Sequence, residues 1–115
     1  MQNTYFMNLN EKPFTLIKNE EKVVEMRLFK GERRNIKEDD YIVFTNEKNG
    51  EKLKVRVLSV SRFPSFKELY EYFDKKLLGY KDDEIASFKD MNEYYSDDDI
   101  SKYGVMGISI ELIKN

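Results

Sequence analysis

Apolar and polar residues follow one another along the chain at spacings that predict a short series of elements. Residues 4–9, Thr-Tyr-Phe-Met-Asn-Leu, are rich in β-formers and predict a first strand. Pro13 suits the first turn of a short helix, where its missing N–H costs nothing. Phe14 and Ile17 supply the buried face of that helix. Asn19 is placed to end it, because Asn tolerates the left-handed conformation. From Lys22 to Leu28 the pattern alternates: Val24, Met26 and Leu28 share one face, Glu25 and Arg27 the other. Residues 29–39 form a charged connection. A third strand runs from Asp40 to Glu47 with Ile42 and Phe44 inward. Lys48-Asn49-Gly50-Glu51 then makes a hairpin turn on its Asn-Gly pair. Leu53, Val55 and Val57 alternate in the next strand. After them the phase slips to Leu58 and Val60, which predicts a bulge or sharp bend near Val57-Leu58.

Pro64 closes that strand, and Ser65 with Glu68 forms a capping box. Phe66, Leu69, Tyr70, Phe73 and Leu77 follow at helical spacing, with Gly79 as the stop. Asp83 to Met91 predicts a short helical stretch with Ile85, Phe88 and Met91 inward. Ser96 to Lys102 predicts another, capped by Ser96 and halted at Gly104. Residues 104–113 read as a final strand with Met106, Ile108, Ile110 and Leu112 on one face. The central hairpin and the bulged long strand point to an α+β fold, a small mixed β-barrel with flanking short helices. The spacings between residues 22 and 63 are too short for the crossovers of a doubly wound parallel sheet.

Composition narrows the chemistry. The 115 residues make one domain, 1–115, without repeat or linker. Eight Tyr and eight Phe argue for an ordered core despite the 37% of charged residues. There is no Cys and no His. Disulfides, zinc-thiolate sites, Ser-His-Asp triads and a histidine base are therefore excluded, and an enzyme would have to use Lys, carboxylates, Ser/Thr or Tyr. No motif calls for a metal or a cofactor. No run approaches the ~18 apolar residues of a membrane span, and residues 1–10 lack the features of a signal peptide. The expectation is a cytoplasmic protein, monomeric by default. Residues 1–63 hold 13 Lys/Arg against 10 Asp/Glu, while residues 64–115 hold 7 against 12. A polyanion should therefore meet the first half.

Four constellations carry candidate chemistry. Lys22, Glu25 and Arg27 pack three ionisable groups into six residues at the start of a strand, where they pair with each other or share a ligand. Structurally they read as a polar outer face with an ion pair. Met91-Asn92-Glu93-Tyr94-Tyr95 is a polar, aromatic loop of the kind that stacks a base, or a loop with one Tyr on the core. Asp97-Asp98-Asp99 is explained by the dipole of the helix it begins, rather than by a cation. Arg33, Arg34 and Lys37, with Lys30, form a weak phosphate-contacting cluster diluted by Glu32, Glu38, Asp39 and Asp40.

In their order along the chain these residues resemble the ASCH family of the PUA-like superfamily, in a small single-domain member. The matching positions are Pro13-Phe14-x-x-Ile17, Lys22-x-x-Glu25-x-Arg27, Asp40-x-Ile42-x-Phe44 and Val55-x-Val57. They continue through Phe63, Phe66-x-x-Leu69-Tyr70 and Met91 with Tyr94-Tyr95 to Tyr103-Gly104-Val105-Met106-Gly107-Ile108. The likeness spans roughly residues 5 to 113. It implies a small β-barrel with a cleft where Lys22, Glu25 and Arg27 gather. It also implies binding of RNA or a nucleotide-like ligand, with Tyr94 or Tyr95 as the stacking face. One branch of the family deacetylates acetylated cytidine nucleosides with a Lys, a Thr three residues later and a downstream Glu. Lys22 matches that Lys, Glu25 stands in place of the Thr nucleophile, and Glu93 is a candidate for the last. Three readings stay open: a binding cleft, a metal-independent hydrolase using Lys22 and Glu25, and a protein-interaction module.

Overall fold

A computed structural model describes residues 2–114 of the chain. Five strands form one sheet: β1 (Thr4–Leu9), β2 (Val24–Leu28), β3 (Tyr41–Asn46), β4 (Lys52–Phe63) and β5 (Val105–Leu112). Their order across the sheet is β1-β3-β4-β5-β2. β1 runs parallel to β3, and all other neighbours are antiparallel. Three helices flank the sheet: α1 (Glu11–Lys18), α2 (Phe66–Tyr72) and α3 (Asp97–Tyr103). Among the described residues no helix is long and apolar enough to cross a membrane.

The long strand β4 curls the sheet into a half-barrel. Its residues Lys52–Arg56 pair with β3 and those from Val55 to Phe63 with β5. The pairing with β5 shifts between Val57 and Ser59, which leaves Leu58 as the extra residue, exposed at the bend. This is the bulge that the phase slip predicted, and it changes which parity faces inward. Met7, Ile42, Phe44, Val55, Val57, Met106 and Ile108 fill the concave side, closed by Phe14 and Ile17 of α1. A second core lies on the other side of β2 and β5. There Val24, Met26, Leu28 and Val105 pack against Phe66, Leu69, Leu78, Met91 and Ile100. Both faces of β2 are therefore covered, and the expected polar outer face does not exist.

Several expectations are corrected. Asn19 ends α1 at φ −90°, and the left-handed residue is Glu20 at φ 59°. The helix expected to reach Leu77 stops at Tyr72. Phe73 turns extended there because its ring fills the space beside Gly107, where a Cβ would lie 2.7 Å from Phe73 Cε2. The chain then gives the Leu77 carbonyl to the N–H groups of Val23 and Val24, so Leu78 is buried and Leu77 is not. The Ser65 hydroxyl donates to Glu68 and accepts from no helix N–H, so the Ser65 half of the capping box does not form. Residues Phe88–Glu93 form a 3-10 turn that buries Met91 but leaves Ile85 and Phe88 exposed. Residues 29–39 contain a second 3-10 turn, Gly31–Asn35, and they bury Ile36. The Ser96 cap forms as expected, with its hydroxyl accepting from the N–H of Asp99.

Candidate functional site

The sheet does not close. β1 and β2 are its two edges, and no ladder joins them. Glu25 pairs across the sheet with Ile108 and Arg27 with Met106, both concave-side residues. Side chains opposite one another in a ladder share a face, so the two charges point into the mouth of the half-barrel at its open seam. The Arg27 guanidinium spans that seam and donates to the Asn8 carbonyl of β1 at 2.9 Å. An edge strand that would otherwise expose its interior face to water thus carries charge inward instead of apolar residues.

Lys22 joins them from the end of the loop after α1. Its N–H donates to the Leu16 carbonyl. Its stem lies against Gly79, where an added Cβ would come within 3.3 Å of Lys22 Cβ. Gly79 also holds φ +103°, a conformation L side chains rarely adopt. The Lys22 ammonium sits 3.4 Å from one Glu25 oxygen and Arg27 Nε 2.7 Å from the other, with side chains only 8%, 4% and 11% exposed. Burial pushes the Glu25 carboxyl up, but the charges of Lys22 and Arg27 and their hydrogen bonds outweigh it. The carboxyl is held below its ordinary value. The triad carries one net positive charge, with both carboxylate oxygens engaged.

These three side chains form the floor of a cleft of about 730 Å³. Tyr94 and Tyr95 line it as well, so the structure brings together all five residues singled out as ligand-binding. Their roles differ by geometry. One face of Tyr95 is stacked on Phe66, with ring centroids 5.8 Å apart, while Tyr94 is half exposed. Tyr94 therefore has the freer ring face. Desolvation raises the pKa of both phenols, so both hydroxyls stay protonated and able to donate. Glu93 lines the same cleft, from the 3-10 turn. Asp97, Asp98 and Asp99 occupy the first turn of α3 and do not line it. Arg33, Arg34 and Lys37 do not line it either.

The structure adds a group that the sequence pattern did not single out. Tyr80 donates to Asp90 at 2.6 Å, and its oxygen lies 2.9 Å from the Tyr70 hydroxyl. All three residues line the cleft. Burial and these hydrogen bonds push the Tyr80 phenol well up, so it remains neutral. Tyr70 reads from sequence as a core position of a helix, and Tyr80 follows Gly79 with no periodic neighbour. Asp90 lies in a charged loop, so only the fold joins the three. Around the mouth stand Glu47, Glu84, Asp90 and Glu93, with Lys12 as the opposing cation. The rim is thus acidic above a cationic floor. No Ser, Thr or Cys lines the cleft, so no side-chain hydroxyl or thiol other than tyrosine is available as a nucleophile.

Comparison with known proteins supports the same frame. The family model of the ASCH domain matches residues 7–114. The crystal structure of the hypothetical protein PH0355 superimposes with a TM-score of 0.81 at 32% identity, covering 96% of this chain and 99% of that one. The solution structure of protein PF0455 from Pyrococcus furiosus gives 0.72 at 32% identity, covering 97% and 99%. An ASCH domain from Lactobacillus crispatus JV V101 gives 0.64 at 13% identity over 94% and 79%, a likeness of fold alone. No curated protein matches the chain.

Proposed function

This chain belongs to the ASCH domain family and carries its PUA-like fold, and we propose that its cleft binds the nucleoside part of RNA or of a nucleotide-like small ligand. The observation that carries this reading is the contrast between floor and rim. Lys22 and Arg27 provide directed N–H donors at the bottom of a partly dry cleft, where they suit carbonyl and ring-nitrogen acceptors of a base. Glu25 holds both cations in place, one through each of its oxygens. Tyr94 offers a ring face for stacking. The carboxylates at the mouth suit sugar hydroxyls and amines, and they repel phosphate. A base and sugar therefore enter the cleft, and the phosphates stay outside it.

Hydrolysis is the second reading, and Lys22 is the observation that favours it. Against it stand the ionised, doubly paired Glu25, which is a weak base, and the lack of a Ser or Thr nucleophile in the cleft. One titration of isotope-labelled protein with cytidine, acetylcytidine and a short mixed-sequence RNA separates the readings. Shifts centred on Lys22, Arg27 and Tyr94 without acetate release are the expected result. Acetate release abolished by Lys22→Ala would overturn it in favour of hydrolysis. No shift with any of the three would remove the nucleoside reading and turn the search to a protein partner.

A further inference from the structure

A second concavity of about 390 Å³ lies beyond the end of β2, lined by Phe29, Lys30, Arg34, Arg62, Lys102 and Tyr103 together with Gly31. Four cations converge on it, and no acidic residue lines it. None of the four has an ion-pair partner among the described residues. Glu32 and the acids of the α3 first turn belong to the same elements but stay out of the lining. Aromatic rings hold three of the cations, and Arg34 Nε donates to the Gly31 carbonyl. Lys30 and Lys102 lie 4.8 and 5.2 Å from the Tyr103 ring centroid, and Arg62 lies 3.8 Å from that of Phe29. Cation–π contact positions a charge without neutralising it. It also occupies ring faces that a base would need for stacking. The pocket is therefore built for an anion and not for a base.

Its placement ties it to the cleft. Arg27 and Lys30 lie three residues apart, either side of a tight turn at Phe29 in which the Lys30 N–H donates to the Leu28 carbonyl. The 3-10 turn between them and β3 carries Arg34 into the pocket. We propose that this pocket binds a backbone phosphate of the RNA strand whose nucleoside occupies the cleft. The inference rests on the nucleoside reading above. It supplies the phosphate contact that the acidic rim of the cleft denies.

The test replaces three exposed side chains, Arg34→Gln, Arg62→Gln and Lys102→Gln, in one variant. Binding of cytidine, of a short mixed-sequence RNA and of tripolyphosphate is measured against salt, with the thermal melt confirming an intact fold. The expected result is unchanged cytidine binding, RNA affinity at least tenfold weaker, and a shallower salt dependence by roughly the 0.7 of one single-strand phosphate contact or more. Unchanged RNA affinity and slope, with cytidine still binding, would overturn the phosphate site and leave the cleft reading standing. If neither cytidine nor RNA binds the parent protein, the cleft reading fails. Tripolyphosphate shifts at Lys30 and Arg34 that vanish in the variant would then assign the pocket to a free polyphosphate and overturn the strand.

Discussion

Replacing Glu25 by Gln removes one charge while nearly preserving shape. It leaves Lys22 and Arg27 as two buried cations facing each other across an uncharged amide. At 3.4 and 2.7 Å, and with an effective dielectric of about 20, the two attractions lost are ~5 and ~6 kcal/mol. Most of that sum only offsets the cost of desolvating three charges. The net loss falls nearer the ~3–5 kcal/mol typical of removing one member of a buried pair. Urea unfolding followed by circular dichroism reads this directly. With a slope of ~1.5 kcal/mol/M, the midpoint should drop by about 2–3 M. Adding Lys22→Met to the same chain removes one orphaned charge and should recover part of the loss. A Glu25→Gln loss below ~1 kcal/mol would refute the argument, because it would mean that water already screens the triad.

The same carboxylate sets an acid response. Its folded pKa lies below the unfolded value of about 4.3, so the unfolded state binds more protons between the two. Its stabilisation should be full above that unfolded value and lost as pH falls through the lower folded one. Glu25→Gln should lack this part of the slope in urea midpoints measured from pH 6 to pH 2. Gly107→Ala places a Cβ 2.7 Å from Phe73 Cε2 and should cost ~1–3 kcal/mol by thermal melt, with Phe73→Leu restoring some of it. Leu78→Ala should cost ~2–4 kcal/mol and Leu77→Ala less than ~1, because only Leu78 is buried; equal losses would contradict the short α2.

What could be read from the chain alone was whatever local periodicity encodes. Alternation marked β2, β3 and β5, the slip at Leu58 marked the bulge, and Ser96 and Gly104 marked the ends of α3. The spacing Lys22-x-x-Glu25-x-Arg27 brought out three residues that the fold does gather, since two of them sit on one face of one strand. Tertiary structure decided the rest. Phe73 leaves its helix because a glycine thirty-four residues later offers room for a ring. Glu25 and Arg27 lie on the floor of the cleft, largely shielded from water, and not on an outer surface of β2. Tyr70, Tyr80 and Asp90 meet only when the segment after Gly79 folds back, and the cations of the second pocket come from β4, α3 and the Lys30–Arg34 stretch between β2 and β3. Periodicity reports which face a residue shares with its sequence neighbours. What covers that face depends on segments far away in the chain, and burial, charge pairing and the two candidate sites all follow from that cover.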